Sequence, residues 1–228
     1  MKNTRVTLTN KCIILDLDET LVHSNDSLEL LNELGIYTDP QNYDLRERTY
    51  KVNMDDVVYK KGEGIKTEMW GIFRPHVKEF LADCFRYFKV VAIWSAGKRN
   101  YVNVILDRLF TDVGYRPHII WTYDEIEIFQ SSHNKILVKP ISKMIEKIPG
   151  LNKYMSLENT FIVDDRSAVF QDINPANGIE IPAYKPNFTL KGLRGDDLAL
   201  KQLSKWFMKP EVQNIKDVRD LDKKYIFE

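Results

Sequence analysis

The sequence predicts an α/β protein with a parallel sheet, and three observations support this fold class. Continuous apolar runs, which are typical of strands buried on both faces of a sheet, occur at 12–15, 90–94 and 160–163. Segments with apolar residues at helical spacing lie between these runs. Each run is also followed by polar residues that could be catalytic or bind a ligand. Strands that alternate with helices in this way indicate a parallel sheet flanked by helices.

The N-terminal third is the least regular part of the sequence. Residues 1–11 alternate weakly and predict a short edge strand, and residues 11–18 predict the first central strand. We expect a small β-rich insertion at about 24–73, between this strand and the next helix. Its predicted elements are a helix over 27–34 that ends at Gly35, and a hairpin of 49–59 and 65–73 around a turn at 60–64.

From Pro75 onward the pattern is more regular. Pro75 suits the first position of a helix, and apolar residues at helical spacing follow it as far as Phe88. The run at 90–94 predicts a second buried strand, 98–110 predicts a helix, and 118–121 predicts a third strand.

The remaining sequence continues the alternation after a polar segment at 122–134 that we expect to be irregular. The predicted elements are a short helix over 141–148, strands at 160–163 and 178–181, a helix over 196–207 that opens with Asp196 and Asp197, and a final amphipathic helix through Val212, Ile215, Val218 and Leu221. We therefore expect one domain over 1–228, with a helical C-terminal segment at about 196–224.

The composition argues against several classes of protein. The chain has 228 residues with 33 Lys+Arg and 33 Asp+Glu, so direct binding to nucleic acid through bulk charge is not expected. Cys12 and Cys84 lie in apolar segments, which favours buried, reduced thiols over a disulfide. No signal peptide is recognisable, and no apolar stretch reaches the roughly 18 residues of a membrane span. We expect an intracellular protein, cytoplasmic or nuclear and without membrane attachment; the sequence indicates no particular oligomeric state.

The polar residues at the strand ends suggest a site that binds a metal ion and a phosphate group. Asp16 and Asp18 follow the first strand, Ser95 follows the second, and Asp164 and Asp165 follow the strand at 160–163. The carboxyl ends of parallel strands meet at one edge of the sheet, where α/β proteins place their chemistry. Clustered carboxylates suit a hard cation, above all Mg²⁺.

A phosphate could be bound by the same cluster. Lys139 and the Ser95 hydroxyl can neutralise and hydrogen-bond phosphoryl oxygens. One carboxylate of the pair Asp16 and Asp18 could then attack phosphorus, while the other gives a proton to the leaving group and later takes one from water. The alternative is that Asp16 and Asp18 simply form an acidic turn at the end of a strand. That alternative would not explain why two acids are paired there, or why other strands also end in polar residues.

Five segments resemble the haloacid dehalogenase superfamily. More narrowly, they are similar to its FCP/SCP branch, the NLI-interacting factor-like phosphatases that act on the C-terminal repeats of RNA polymerase II and related phosphoproteins. The segments are DLDETLVHS at 16–24, RPHVKEFL at 74–81, IWSAG at 93–97, VKPIS at 138–142 and FIVDDRS at 161–167.

The resemblance implies a role for each matched residue. Asp16 would be the nucleophile that accepts the phosphoryl group and a metal ligand, and Asp18 would be the general acid and base, with its backbone carbonyl on the metal. Ser95 and Lys139 would hold the phosphate. Asp165 would bind Mg²⁺ directly, and Asp164 would bind it directly or through water. The resemblance also implies a small β-rich insertion after the first strand.

The sequence departs from the family pattern at a few positions, and alternatives follow. Pro140 stands in place of an aspartate, and Arg166-Ser167 stands in place of Ser-Pro. Residues 24–48 are longer and more polar than in small members, and no BRCT-like module is recognisable after residue 208. The leading hypothesis is a Mg²⁺-dependent phosphoserine/phosphothreonine protein phosphatase with a phosphorylated protein or peptide as substrate. A small-molecule phosphatase and a non-enzymatic phosphoprotein-binding protein are the alternatives.

Two further residues have two interpretations each. Arg74 could reach a phosphate or form an ordinary salt bridge. Trp70 could line a substrate pocket or pack in the core.

Overall fold

The structure is a computed structural model that describes residues 9–55, 66–111, 114–130 and 135–228. The turn expected at 60–64 and most of the edge strand expected at 1–11 lie outside the described residues. The strands are β1 (Cys12–Leu15), β2 (Val22–Asn25), β3 (Thr49–Asp55), β4 (Lys66–Phe73), β5 (Val90–Trp94), β6 (Ile119–Trp121), β7 (Glu127–Gln130), β8 (Lys135–Val138), β9 (Thr160–Asp164) and β10 (Gly178–Glu180).

The helices include three of nine residues or more, and these three pack against the central sheet. The α-helices are α1 (Leu28–Glu33), α2 (Tyr43–Arg46), α3 (Val77–Tyr87), α4 (Arg99–Phe110), α5 (Ile141–Lys147), α6 (Leu190–Leu193), α7 (Ala199–Phe207) and α8 (Pro210–Asn214). Within the described ranges, none of these helices is both long and apolar enough to span a bilayer.

A five-stranded parallel sheet in the order β10-β9-β1-β5-β6 confirms the predicted fold class. Strand β1 lies at the centre, and Leu15 is in register with Ile93 of β5 and Val163 of β9. The three strands therefore end at the same level. This register places the residues that follow each strand next to one another.

Alternate residues of β1 pack into two separate cores. Ile13 and Leu15 belong to the core formed with α3, α4 and α7, whereas Cys12 and Ile14 belong to the core formed with α5. This is the alternation of a strand that is covered by helices on both faces. The thiols of Cys12 and Cys84 are both buried and free.

A three-stranded antiparallel sheet in the order β2-β4-β3 lies between β1 and α3 in the chain. Helices α1 and α2 contribute Leu31 and Leu45 to a core that contains Trp70. The Trp70 indole N–H donates to the carbonyl of Ser27 at 2.8 Å. Trp70 is fully buried and is therefore a core residue.

Two expected helix starts are wrong by two or three residues, and each has a local cause. The helix expected to start at Pro75 begins at Val77, because His76 adopts a left-handed conformation with φ of 64°. The helix expected from Asp196 begins at Ala199. Asp197 instead accepts from the backbone N–H of Ala199 and from the side chain of Arg74.

Two other expectations are corrected. The segment 122–134 was expected to be irregular, but β7 within it pairs antiparallel with β8 to form a hairpin. The final amphipathic helix through Val212 and Leu221 is instead the short helix α8 and a separate 3-10 turn at Val218–Asp220. The apolar residues Val212 and Val218 are nevertheless buried in the main core, which is the burial their spacing indicated.

Candidate active site

The aspartates of two neighbouring strands meet at the carboxyl edge of the sheet. Asp16 directly follows β1, and its backbone N–H donates to the carbonyl of Val163 in β9 at 2.9 Å. Asp164 is the last residue of β9, and Asp165 follows it. Side-chain oxygens of Asp16, Asp164 and Asp165 all lie within 4.8 Å of one another. The parallel register thus assembles these three carboxylates, as the sequence predicted for one edge of the sheet.

Lys139 lies between two of these carboxylates. Its ammonium group is 2% exposed and donates to Asp16 Oδ1 at 2.6 Å and to Asp164 Oδ2 at 2.6 Å. The backbone N–H of Lys139 donates to the carbonyl of Val169, which fixes the chain just after β8. An ammonium group has three donors, so one remains for a further acceptor such as a phosphoryl oxygen.

The electrostatics of the site depend on burial and on this lysine. Burial raises the pKa of Asp16 well above its usual range; Lys139 opposes the rise, and Asp164 and Asp18 add to it. Burial acts to lower the pKa of Lys139, but the Asp16 and Asp164 carboxylates outweigh it and raise that pKa. Burial and the charge of Asp164 raise the pKa of Asp165 to about 6. Lys139 therefore stays protonated. A further cation next to the carboxylates would stabilise their ionised forms.

Asp18 is held apart from the three clustered carboxylates. Its Oδ1 accepts from the hydroxyl of Tyr101, and its Oδ2 accepts from Ser95 Oγ at 3.3 Å. Burial raises the pKa of Asp18, although both hydrogen bonds favour the ionised form. A carboxyl group with a raised pKa next to a phosphate site is suited to give a proton to a leaving group.

A chain of hydroxyl groups supports Asp18. The hydroxyl of Ser24 lies 2.8 Å from the hydroxyl of Tyr101 and 2.8 Å from that of Tyr50. Because Tyr101 donates to Asp18, its oxygen accepts from Ser24, and Ser24 in turn accepts from Tyr50. Sequence reasoning placed Tyr101 among the inward residues of a helix, but helical spacing carries no signal that its hydroxyl reaches Asp18.

Ser95 is fully buried at the end of β5 and lies beside Asp18. Its Oγ accepts from the backbone N–H of Gly97 at 2.9 Å, which defines a tight turn before α4. A Cβ atom at Gly97 would lie 2.6 Å from Cδ1 of Tyr101. Gly97 therefore allows the close packing that brings both Ser95 and Tyr101 to Asp18.

The residues present fit a hard divalent cation. The three clustered groups are carboxylates, which are the preferred ligands of Mg²⁺, and no histidine or cysteine belongs to the cluster. The structure brings Asp16, Asp164 and Asp165 together, and their role as metal ligands stays a prediction. The Asp18 side chain is not part of this group, and the metal-facing role expected for its backbone carbonyl stays a prediction.

A cavity of about 530 Å³ opens above these residues. Its walls combine the acidic cluster with basic and apolar side chains from the surrounding loops and from the β7–β8 hairpin. The lining residues are Asp16, Asp18, Glu19, Ala96, Ile126, Leu137, Lys139, Asp164, Asp165, Arg166, Val169, Ala183 and Lys185. Sequence reasoning missed Lys185, whose ammonium pairs with Glu19 at 2.8 Å, and it missed the hairpin residues Ile126 and Leu137.

The parallel sheet and the aspartate cluster at its carboxyl edge are the arrangement that the resemblance to the haloacid dehalogenase superfamily implied. The chain belongs to the family described as NLI interacting factor-like phosphatase, whose model matches residues 11–219.

Three proteins of similar sequence are named as phosphatases or phosphatase-like proteins. The chain is 27% identical over 180 residues to the putative CTD phosphatase-like protein 355R of Invertebrate iridescent virus 3, covering 76% of this chain and 84% of that protein. It is 25% identical over 174 residues to CTD small phosphatase-like protein 1 of Caenorhabditis elegans, covering 76% of this chain but 28% of that protein. It is 35% identical over 102 residues to phosphatase PSR1 of Saccharomyces cerevisiae, covering 45% of this chain and 18% of that protein. The chain thus corresponds to only part of the two cellular relatives.

Solved structures support the fold. A structure of Fcp1, an essential RNA polymerase II CTD phosphatase, superposes with a TM-score of 0.66 at 14% identity, covering 92% of this chain and 68% of that one. Fission yeast Fcp1 bound to beryllium fluoride superposes with a TM-score of 0.58 at 17% identity, covering 86% of this chain and 49% of that one. At these identities the likeness is one of fold.

Proposed function

We propose that the chain is a Mg²⁺-dependent phosphoserine/phosphothreonine protein phosphatase that forms an aspartyl-phosphate on Asp16. The observation that carries this proposal is the division of the acidic residues into two groups. Asp16 is bound by Lys139 beside Asp164 and Asp165, whereas Asp18 is held separately by Tyr101 and Ser95. The first group is arranged to bind and attack a phosphate, and the second is arranged to move a proton.

The proposed reaction has two steps. In the first, a carboxylate oxygen of Asp16 bonds to phosphorus, the bond from phosphorus to the substrate oxygen breaks, and Asp18 protonates the departing alkoxide. In the second, Asp18 takes a proton from water as the water oxygen attacks phosphorus, which releases phosphate and restores Asp16. Lys139 holds phosphoryl oxygens in both steps, and Ser95, whose single hydroxyl proton goes to Asp18 in this structure, would join it by turning that hydroxyl towards the phosphate. Mg²⁺ bound by the carboxylates would neutralise charge on the phosphoryl group.

The shape of the site favours a protein substrate over a metabolite. A segment that closed over the cavity would favour a metabolite as substrate, but none of residues 24–48 lines the cavity. Leu31 and Leu45 instead pack against Trp70 and Leu193, away from the acidic cluster. The resulting open cavity leaves room for a peptide chain to cross its mouth.

Metal removal tests the cofactor. We expect the purified protein to release phosphate from an aryl phosphate in the presence of Mg²⁺ and to lose this activity in a chelator, with recovery when excess Mg²⁺ is added. The reason is that Lys139 compensates only part of the negative charge that Asp16, Asp164 and Asp165 would otherwise present to the phosphate. Colorimetric phosphate release measures the effect, and turnover that persists unchanged in the chelator would contradict the proposal.

A second prediction concerns Tyr101. We expect Tyr101→Phe to lower kcat about tenfold on a phosphoserine peptide, because Asp18 loses the hydrogen bond that orients it as the general acid. The loss should be smaller on nitrophenyl phosphate, whose leaving group needs little protonation. Tyr154→Phe, at an exposed tyrosine outside the cavity lining, is the matched control. Equal losses on both substrates would show that Tyr101 acts in some other way.

A further inference from the structure

The catalytic cavity has two chemically different walls. One wall carries the charged residues Glu19, Arg166 and Lys185 beside the carboxylates. The other is apolar and includes Ile126 and Leu137, which come from the start of the β7–β8 hairpin and from its second strand. A peptide that places a phosphoresidue on Asp16 has to cross between these walls, so its flanking side chains meet different surroundings on each side.

The apolar wall continues out of the cavity along one face of the hairpin. Ile128 is the cross-strand partner of Leu137, and cross-strand partners project from the same face. Ile126 has extended backbone angles, φ of −68° and ψ of 147°, and lies two residues before Ile128. Residues two apart on an extended strand share a face. We call Ile126, Leu137 and Ile128 the hairpin strip.

The outer end of the hairpin strip is open to solvent. The side chain of Ile128 is 55% exposed, whereas Ile126 and Leu137 are half-buried. A single exposed isoleucine needs no explanation by itself. Ile128 differs because it extends an apolar surface that begins inside the catalytic cavity. The neighbouring Phe129 is 43% exposed but projects from the opposite face, with Ile136 as its partner.

The hairpin is anchored at its base, so the strip has a fixed position relative to Asp16. Lys143 of α5 donates to the carbonyl of Glu125 at 2.8 Å and pairs with Glu127 at 3.3 Å. The backbone N–H of Tyr123 donates to the carbonyl of Gly97, in the turn that carries Ser95. A surface held in this way needs little ordering when a ligand binds.

We propose that the hairpin strip binds an apolar side chain of the phosphoprotein substrate, about two residues from the phosphoresidue; this rests on the proposed function. Ile128 lies two strand positions beyond Ile126, which is roughly 6.6 Å. An extended substrate has the same spacing between side chains on one face. A phosphoresidue that lies beside Ile126 in the cavity therefore places its second neighbour beside Ile128. The substrate class is therefore a segment with a large aliphatic residue at this position.

The test compares phosphoserine peptides that differ at one position. Peptides with leucine at the second position before or after phosphoserine are compared with their alanine counterparts, and kcat/KM is measured for each. We expect the wild type to favour one leucine peptide by about tenfold, the effect of burying roughly two methylene groups against Ile128. In Ile128→Asn the ratio should fall to about one, with the alanine peptide as the internal reference for that variant.

Phe129→Asn is the matched control, because it removes an exposed apolar side chain from the opposite face of the same hairpin and should keep the preference. Three results would each overturn the inference. The first is a leucine-to-alanine ratio of kcat/KM near one for the wild type at both positions. The others are a leucine preference that survives Ile128→Asn and a loss of that preference in Phe129→Asn equal to the loss in Ile128→Asn. Fluorescence anisotropy of the same peptides with Asp16→Asn measures the preference without turnover. If the wild type does not hydrolyse even an aryl phosphate, the proposed function fails. If the leucine and alanine peptides then bind with equal affinity in the anisotropy measurement, the docking proposal fails as well.

Discussion

Asp16→Asn is expected to lower phosphatase kcat at least about 10³-fold while the protein stays folded. The amide of asparagine cannot attack phosphorus, so the proposed covalent step has no nucleophile. Stability should change little. Lys139 keeps its bond to Asp164, the amide oxygen can still accept from Lys139, and the repulsion between Asp16 and its acidic neighbours disappears. We expect the free energy of unfolding to remain within about 1 kcal/mol of the wild type.

Phosphate release and urea denaturation measured on the same preparation test both parts of this prediction. Asp83→Asn is the matched control, because it removes a partly exposed carboxylate on α3 that pairs with Arg86 at 3.6 Å. That variant should retain wild-type turnover. Substantial Mg²⁺-dependent activity in Asp16→Asn would rule out an aspartyl-phosphate on this residue. A large loss of stability would show instead that the carboxylate is needed for folding.

The position of the site could be predicted because it depends on strand ends. The apolar runs that become β1, β5 and β9 are bounded by Asp16, Ser95 and Asp164, and parallel strands bring their carboxyl ends together whatever the details of the loops. Lys139 could be singled out because it lies in the sequence between the second and third of these strand ends, and its resemblance to a family motif agrees with that choice. That its ammonium would join Asp16 to Asp164 depends on the packing of β8 against the turn near Val169, which the sequence does not reveal.

Other features had no sequence signal strong enough to find them. The β7–β8 hairpin begins in a polar stretch, and two short strands gain their stability from anchoring contacts such as those of Lys143. The break in the last predicted helix has the same origin. Val212 and Val218 have helical spacing, yet tertiary packing buries both without a continuous helix between them. Tertiary contacts override local pattern at these positions.

Arg74 shows how the structure decides between two interpretations that the sequence left open. It does not line the catalytic cavity. Its guanidinium is buried, with Nε donating to Asp197 Oδ1 at 2.8 Å and one terminal nitrogen donating to Asp197 Oδ2 at 3.1 Å. The same group donates to the carbonyls of Thr20 at 3.1 Å and Pro182 at 2.7 Å. Arg74 therefore joins the turn after Asp18 to the segment after β10 and to the start of α7.

We expect Arg74→Met to lower the free energy of unfolding by about 3–5 kcal/mol, because it leaves the Asp197 carboxylate and two carbonyl groups without their donor. Urea denaturation measures the change. Arg86→Met is the matched control: its pair with Asp83 is exposed and 3.6 Å long, so its loss should cost under about 0.5 kcal/mol. If both variants unfold at the same urea concentration, Arg74 is not the structural link described. Because Thr20 lies two residues from Asp18, a folded Arg74→Met fraction should also show reduced kcat, which connects this buried arginine to the site without any contact with the substrate.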